Sequence, residues 1–177
     1  MALTLSRLRK ALEVMDEAEL RELIEALYKA STDNKRLLAA QLEGDSSELL
    51  EAYVKALQKC FDPKKSELKV APVRKALQNY LRVASPLEAL QAKIRYVRTA
   101  LAYWDKVAYW TEQHDTALGN MFEEITQGTL QYTEHQDLLE SVHKLGQEFI
   151  AQEKKYGYFG WQVEIYRSFE DKLDVNT

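Results

Sequence analysis

Three histidines and one cysteine carry what reactive chemistry this sequence offers. Glu140-Ser141-Val142-His143 sets a carboxylate and an imidazole one helical turn apart. Carboxylate-bridged di-metal bundles use that spacing twice over, with two more glutamates from other helices. Here the motif occurs once, since neither His114 nor His135 has a Glu three residues before it. One E-x-x-H supplies at most two ligands, too few for a closed site. An ion pair across one turn of a surface helix is the plainer reading of Glu140 and His143. His114, Asp115, Glu134, His135 and Asp137 would form a second metal-like cluster if the ends of adjacent antiparallel helices met, although nothing in their spacing demands it. Cys60 follows a cation, Lys59, which favours a thiolate. It also precedes Phe61 at the inward end of a helical stripe, where a lone Cys reads as a small hydrophobe. No Gly-rich phosphate loop, Ser elbow or C-x-x-C is present. The sequence therefore assigns no catalytic residue and no cofactor. It leaves His114, His135, His143 and Glu140 as weak metal candidates, and a small-molecule site between helices as a minor alternative.

Surfaces for a macromolecular partner are better marked. Tyr96, Tyr103, Trp104, Tyr109 and Trp110 come from one stretch, and Tyr156, Tyr158, Phe159, Trp161 and Tyr166 from another. Helix-spaced aromatics are usually core, but Tyr109 falls off the apolar stripes, and Tyr156–Trp161 is a corner interrupted by two glycines. Aromatics that a core does not require are what partner surfaces favour. Tyr109, Tyr156, Tyr158, Phe159 and Trp161 are the expected partner-binding set, for another protein or for self-association. The segment from Lys59 to Arg82 holds seven cations against two carboxylates. Within it Lys64, Lys65, Lys69, Arg74 and Lys75 form the only candidate nucleic-acid footprint. Such runs are more often solvated helix faces. Arg95 and Arg98 are left over on a further helix face, available to acidic helices or to an acidic ligand.

These residues must be positioned by helices. Gly (6) and Pro (3) are scarce among 177 residues, which disfavours a sheet-rich fold. Hydrophobic residues at 46% suffice for a core, and a net charge of −4 exerts no global pull on nucleic acid or anionic lipid. Ser85-Pro86-Leu87-Glu88 is a capping box with Pro at the first helical position. Behind it run two apolar stripes, Leu87–Leu90–Ile94–Val97–Leu101–Trp104–Ala108 and Ala89–Tyr96–Ala100–Tyr103–Val107–Trp110. Two adjacent stripes require neighbours on two sides. The expectation is an all-α fold: an irregular antiparallel helical bundle of eight or nine helices, in one domain over 1–177, around a long central helix at about 86–112. Asp16 with Glu19, and Asp45 with Glu48, read as further capping boxes. Thr133 reads as another cap, Gln113-His114-Asp115 as a turn, and Gly44 as a stop. Gly119 and Gly128 lie inside a helix and suggest close helix approach. The last four residues read as frayed.

Several short stretches also carry a resemblance: Glu19-Leu20-Arg21-Glu22-Leu23-Ile24 with Leu27-Tyr28, Asn34-Lys35-Arg36-Leu37-Leu38, Glu48-Leu49-Leu50-Glu51-Ala52-Tyr53, Phe61-Asp62-Pro63-Lys64, and Gly157-Tyr158-Phe159-Gly160-Trp161. On these the chain resembles a family of small bacterial all-helical proteins classed as a domain of unknown function. It departs from that pattern in the middle, where Trp and Tyr are denser. The resemblance implies a helical fold and a bacterial origin, and transfers no catalytic residue. A single Cys and an N-terminus without an apolar signal core suggest the cytoplasm, and no run approaches membrane-spanning length. Together these readings point to a non-enzymatic helical protein–protein interaction module with an aromatic-rich surface. A nucleic-acid-associated accessory protein using 59–82 is the alternative.

Overall fold

Local capping chemistry places most helix starts. Asp16 Oδ1 accepts the Glu19 N–H at 2.9 Å while Glu19 Oε2 accepts the Asp16 N–H at 2.9 Å. The same reciprocal pair forms at Ser85 and Glu88, where Glu88 Oε2 accepts from the Ser85 N–H at 2.8 Å and the Ser85 hydroxyl accepts from the Glu88 N–H at 3.3 Å. Each satisfies donors that the first turn of a helix leaves without a partner. The computed structural model describes residues 3–64, 68–107 and 111–176. Among them it holds nine helices and no strand: α1 (Leu5–Glu13), α2 (Glu17–Ala30), α3 (Thr32–Glu43), α4 (Ser47–Cys60), α5 (Ala71–Leu81), α6 (Pro86–Val107), α7 (Glu112–Thr129), α8 (Gln136–Tyr156) and α9 (Gly160–Asn176). Gly44 and Gly157 close α3 and α8 at φ 74° and 72°, left-handed positions that cost glycine nothing.

Four boundaries differ from the sequence expectation. The helix expected to reach residue 112 ends, as described, at Val107, and Thr111 is extended at φ −108°, ψ 156°. Thr111 Oγ1 accepts the His114 N–H, so Glu112 begins α7 and Gln113, His114 and Asp115 form its first turn instead of a connecting turn. Thr133 does not cap α8. Turn bonds from Gln131 to Gly128, Tyr132 to Thr129 and His135 to Tyr132 use up that stretch, and His135 takes the cap position without a side-chain bond. Asp45 Oδ1 accepts from the Ser47 N–H at 2.8 Å, a turn at the entrance to α4 in place of a bond to the Glu48 amide. At the other end, α9 stays helical through Asn176.

The chain forms two compact units, residues 1–49 and 50–177. In the first, α2 packs against α3, and the Asn34 amide nitrogen donates to the Leu27 carbonyl at 2.8 Å across the Ser31 corner. Neither α1 nor α2 buries a single residue.

In the second, α6 packs against α5, α7 and α8, while α9 lies against α7 and α8. Both stripes of α6 are consumed by these contacts. Leu90, Ile94, Val97, Leu101 and Trp104 are buried on one, Tyr96, Ala100 and Tyr103 on the other. Each fully buried large side chain contributes about 1.5–3 kcal/mol. Lys93, which interrupts the second stripe, pairs with Glu124 of α7 at 2.7 Å. The Tyr53 hydroxyl of α4 donates to the Ala92 carbonyl at 2.9 Å, and Phe61 sets its edge against Tyr96 and Tyr103. The expected close approach at Gly119 and Gly128 is present. A Cβ at Gly119 would overlap the Trp161 ring, and one at Gly128 would meet Leu90 Cδ2 at 2.7 Å. Gly146 of α8 sits equally tightly under the Tyr166 ring of α9.

Candidate functional site

The expected aromatic surface divides sharply by depth. Phe159 is fully buried, so it is a core residue and not a partner contact. Its ring lies 5.7 Å from that of Phe149, whose ring in turn lies 4.7 Å from Phe122, tilted by 48°. The reason is the corner itself: the Phe159 N–H donates to the Glu153 carboxylate at 2.5 Å, and this folds the chain back so that the side chain points inward. Trp104 sits edge-on to Tyr156, Tyr158 and Phe159 at 5.6–6.1 Å, so the corner is anchored to α6 by ring contacts. Tyr156 is half-buried, with Lys155 Nζ 4.7 Å over its ring and bonded to Asp105 at 2.9 Å. The Lys155 bond, with a second from Gln152, holds the Asp105 carboxyl below its ordinary range. Trp161 covers Gly119 and leaves 40% of its surface exposed, and Tyr158 is 68% exposed. Tyr109 lies outside the described residues. What remains in the described part is one projecting tyrosine and the outer edge of a tryptophan.

The histidines do not converge. Among the described residues no three His, Cys, Asp or Glu side chains stand close enough to hold a metal ion. His143 turns away from Glu140 toward α9, where Nδ1 lies 2.9 Å from the Tyr166 hydroxyl and 3.7 Å from Glu170. The Tyr166 hydroxyl donates to Glu170 at 2.6 Å. Burial, then that bond, pushes the phenol up to about 12. This set clamps α8 to α9 and replaces the expected pairing within α8. His135 stands beside Glu134 at 3.4 Å. His114 faces Thr111, and burial together with the Arg74 guanidinium lowers its affinity for a proton. Its neighbour Asp115 accepts from the fully buried Gln162 at 2.9 Å, and burial raises its carboxyl despite that bond. Cys60 is buried.

The basic stretch is split as well. Lys64 and Lys69 lie in the connection after α4, Arg74 and Lys75 within the first five residues of α5, and Lys65 outside the described residues. Arg74 lines a 360 Å³ groove over α5, α6 and α7. Arg95 and Arg98 line a 280 Å³ groove with Asp137 and Ser141 of α8, and neither forms an ion pair among the described residues. A third groove of 220 Å³ runs between α7 and α9 beside Trp161, Ile165 and Phe169.

A further set of exposed apolar side chains lies on α1 and α2. Leu5 of α1 is 62% exposed and Leu27 of α2 is 48% exposed, with Ile24 and Tyr28 similarly bare. Leu8, Leu12, Leu20 and Leu23 are half-covered. An amphipathic helix looks the same in sequence whether its face is covered or open. The sequence signal for this surface was the regular stripe itself, and only exposure distinguishes it from core. No helix among the described residues is long and apolar enough to cross a membrane. No known protein family, curated protein or solved structure matches the chain.

Proposed function

We propose that this protein is a non-enzymatic helical interaction module that docks another polypeptide on the α1–α2 surface. The observation that carries this reading is the complete lack of a buried residue in two helices with regular apolar stripes. A stripe of Leu5, Leu8 and Leu12 followed by Leu20, Leu23, Ile24, Leu27 and Tyr28 has a stabilising use only when something covers it. Residues 50–177 by themselves hold a large core, in which His143, Tyr166 and Glu170 clamp α8 to α9. Tyr158 and the edge of Trp161 provide a smaller second patch of the kind expected from the sequence, with the amphipathic character that interfaces use.

The test is comparative affinity capture from a lysate of the native cell, using the wild type and the double variant Ile24→Glu with Leu27→Glu. Both positions are exposed, so the fold should survive, as circular dichroism would show. Polypeptides held by the wild type, a second copy of the chain included, should be lost from the variant. An identical set on both baits would refute the reading.

A further inference from the structure

We propose that the groove over α5, α6 and α7 is a binding site for a small monocarboxylate with an apolar body, held by Arg74 at the rim. The groove lies wholly within residues 50–177 and stands apart from the α1–α2 reading. Its depth follows from the residues that the three helices bring to it. Leu77 of α5 and Tyr96 of α6 are buried and form the floor. Leu81, Ala117 and Met121 are half-buried and form the walls, and Ala117 contributes only a methyl group. Arg74, Gln78 and Asn120 are exposed and form the rim. An apolar floor under a few polar groups, with a volume of 360 Å³, is the ordinary form of a small-molecule cleft.

Charge selects the ligand. The lining holds two cations, Arg74 and Lys93, and one carboxylate, Glu124. Lys93 is tied to Glu124 at 2.7 Å, so those two charges cancel. Arg74 forms no ion pair among the described residues, and one positive charge is left over. That charge is felt inside the fold. Burial pushes the Tyr96 phenol up and Arg74 opposes it, and Arg74 adds to burial in lowering the proton affinity of His114. A carboxylate is the monoanion whose two oxygens match the guanidinium fork. A phosphate monoester would bring nearly two charges to a single free cation, with Glu124 close by. A bare inorganic anion would leave Leu81 and Met121 uncovered, and a neutral ligand would leave Arg74 without a counter-charge.

The experiment follows backbone amide resonances of the isotope-labelled full chain during titration, at about pH 7, where carboxylates are ionised. The probes are phenylpropionate, octanoate, phenylpropanamide and acetate. Both apolar acids should shift amides of α5, α6 and α7 around the groove and saturate with a Kd of about 1 mM or lower. The amide lacks the charge and acetate lacks the apolar body, so each should bind about tenfold more weakly, or worse. Arg74→Gln should weaken both acids about tenfold and leave the amide unchanged, a split that a damaged fold would not produce. Gln78→Glu, one helical turn from Arg74, should weaken the acids too, by giving the guanidinium an internal partner. Arg95→Gln, in the groove between α6 and α8, should change nothing. The proposal is overturned if neither apolar acid gives saturable shifts, if acid and amide bind alike, or if the Arg74→Gln chain binds the acids as the wild type does. Shifts centred on Arg95 and α8 would place the acid in the other groove and overturn it as well. None of these results bears on α1 and α2, so the two readings fail separately.

Discussion

Gly146→Ala sets two effects of opposite sign against each other. In an exposed helix interior the change would stabilise by about 1 kcal/mol, because alanine restricts the unfolded chain and suits the helix better. Here the new methyl would overlap the ring of Tyr166 at Cδ2, Cε2 and Cγ. Whether the ring can give way decides the outcome. The Tyr166 ring is buried, and its hydroxyl is tied to Glu170 at 2.6 Å and to His143 at 2.9 Å. Moving it would strain the α8–α9 packing, at about 1–3 kcal/mol for overpacking, and would weaken a hydroxyl–carboxylate bond worth about 1.5–3 kcal/mol. The losses outweigh the gain, leaving a net destabilisation of about 2 kcal/mol. For a unit of this size that is a fall in melting temperature of roughly 6–10 °C. All three tryptophans lie in residues 50–177, so their fluorescence in urea or heat reports this unit directly. Adding Tyr166→Leu should relieve the overlap, so that Gly146→Ala becomes neutral or stabilising in that background. Gly119→Ala offers a contrast, since the partly exposed Trp161 ring can swing outward, and the change should be near neutral. A Gly146→Ala protein as stable as the wild type would show that Tyr166 is not held as described.

Three further outcomes follow from single contacts. Tyr53→Phe removes the buried bond to the Ala92 carbonyl and should lower stability by about 1 kcal/mol in chemical denaturation. Ser85→Ala should cost about 1 kcal/mol through loss of the α6 cap. Bonds from Ser85 also hold the Glu88 carboxyl below its ordinary value. Their contribution is complete above the ordinary glutamate range and is lost as pH falls through the lowered value, so Ser85→Ala should flatten the acid limb of a stability–pH curve. His114 has its proton affinity lowered in the fold from the ordinary 6.5, so unfolding takes up a proton and stability declines as pH falls through that value. His114→Gln should abolish that decline, which melting temperatures between roughly pH 5 and 8 would register.

The parts of the fold legible in advance were those decided within one helical turn. Asp16 with Glu19 and Ser85 with Glu88 announce caps because both partners lie three residues apart in the chain. The double stripe of α6 announces two-sided burial because its period counts neighbours whatever they are. The end of α6 was misjudged because that stripe continues in type through Ala108 and Trp110, which masked Thr111 as a cap. Phe159 was placed on the surface because its inward turn depends on Glu153, six residues away across a glycine corner. Gln162, a polar residue with no exposure, has no sequence signature, since its partner Asp115 is forty-seven residues distant. The open face of α1 and α2 was invisible for a different reason: amphipathy records that a face is apolar and is silent on whether anything lies over it.

The wedge of Tyr166 into the notch at Gly146 also sets terms for how such a chain can drift. Positions 146 and 166 share one fixed volume, so a sequence of this architecture can fill the notch only by shrinking the ring in the same lineage, and the two sites should vary as a linked pair while Gly44, facing open space, varies with its own backbone angle alone.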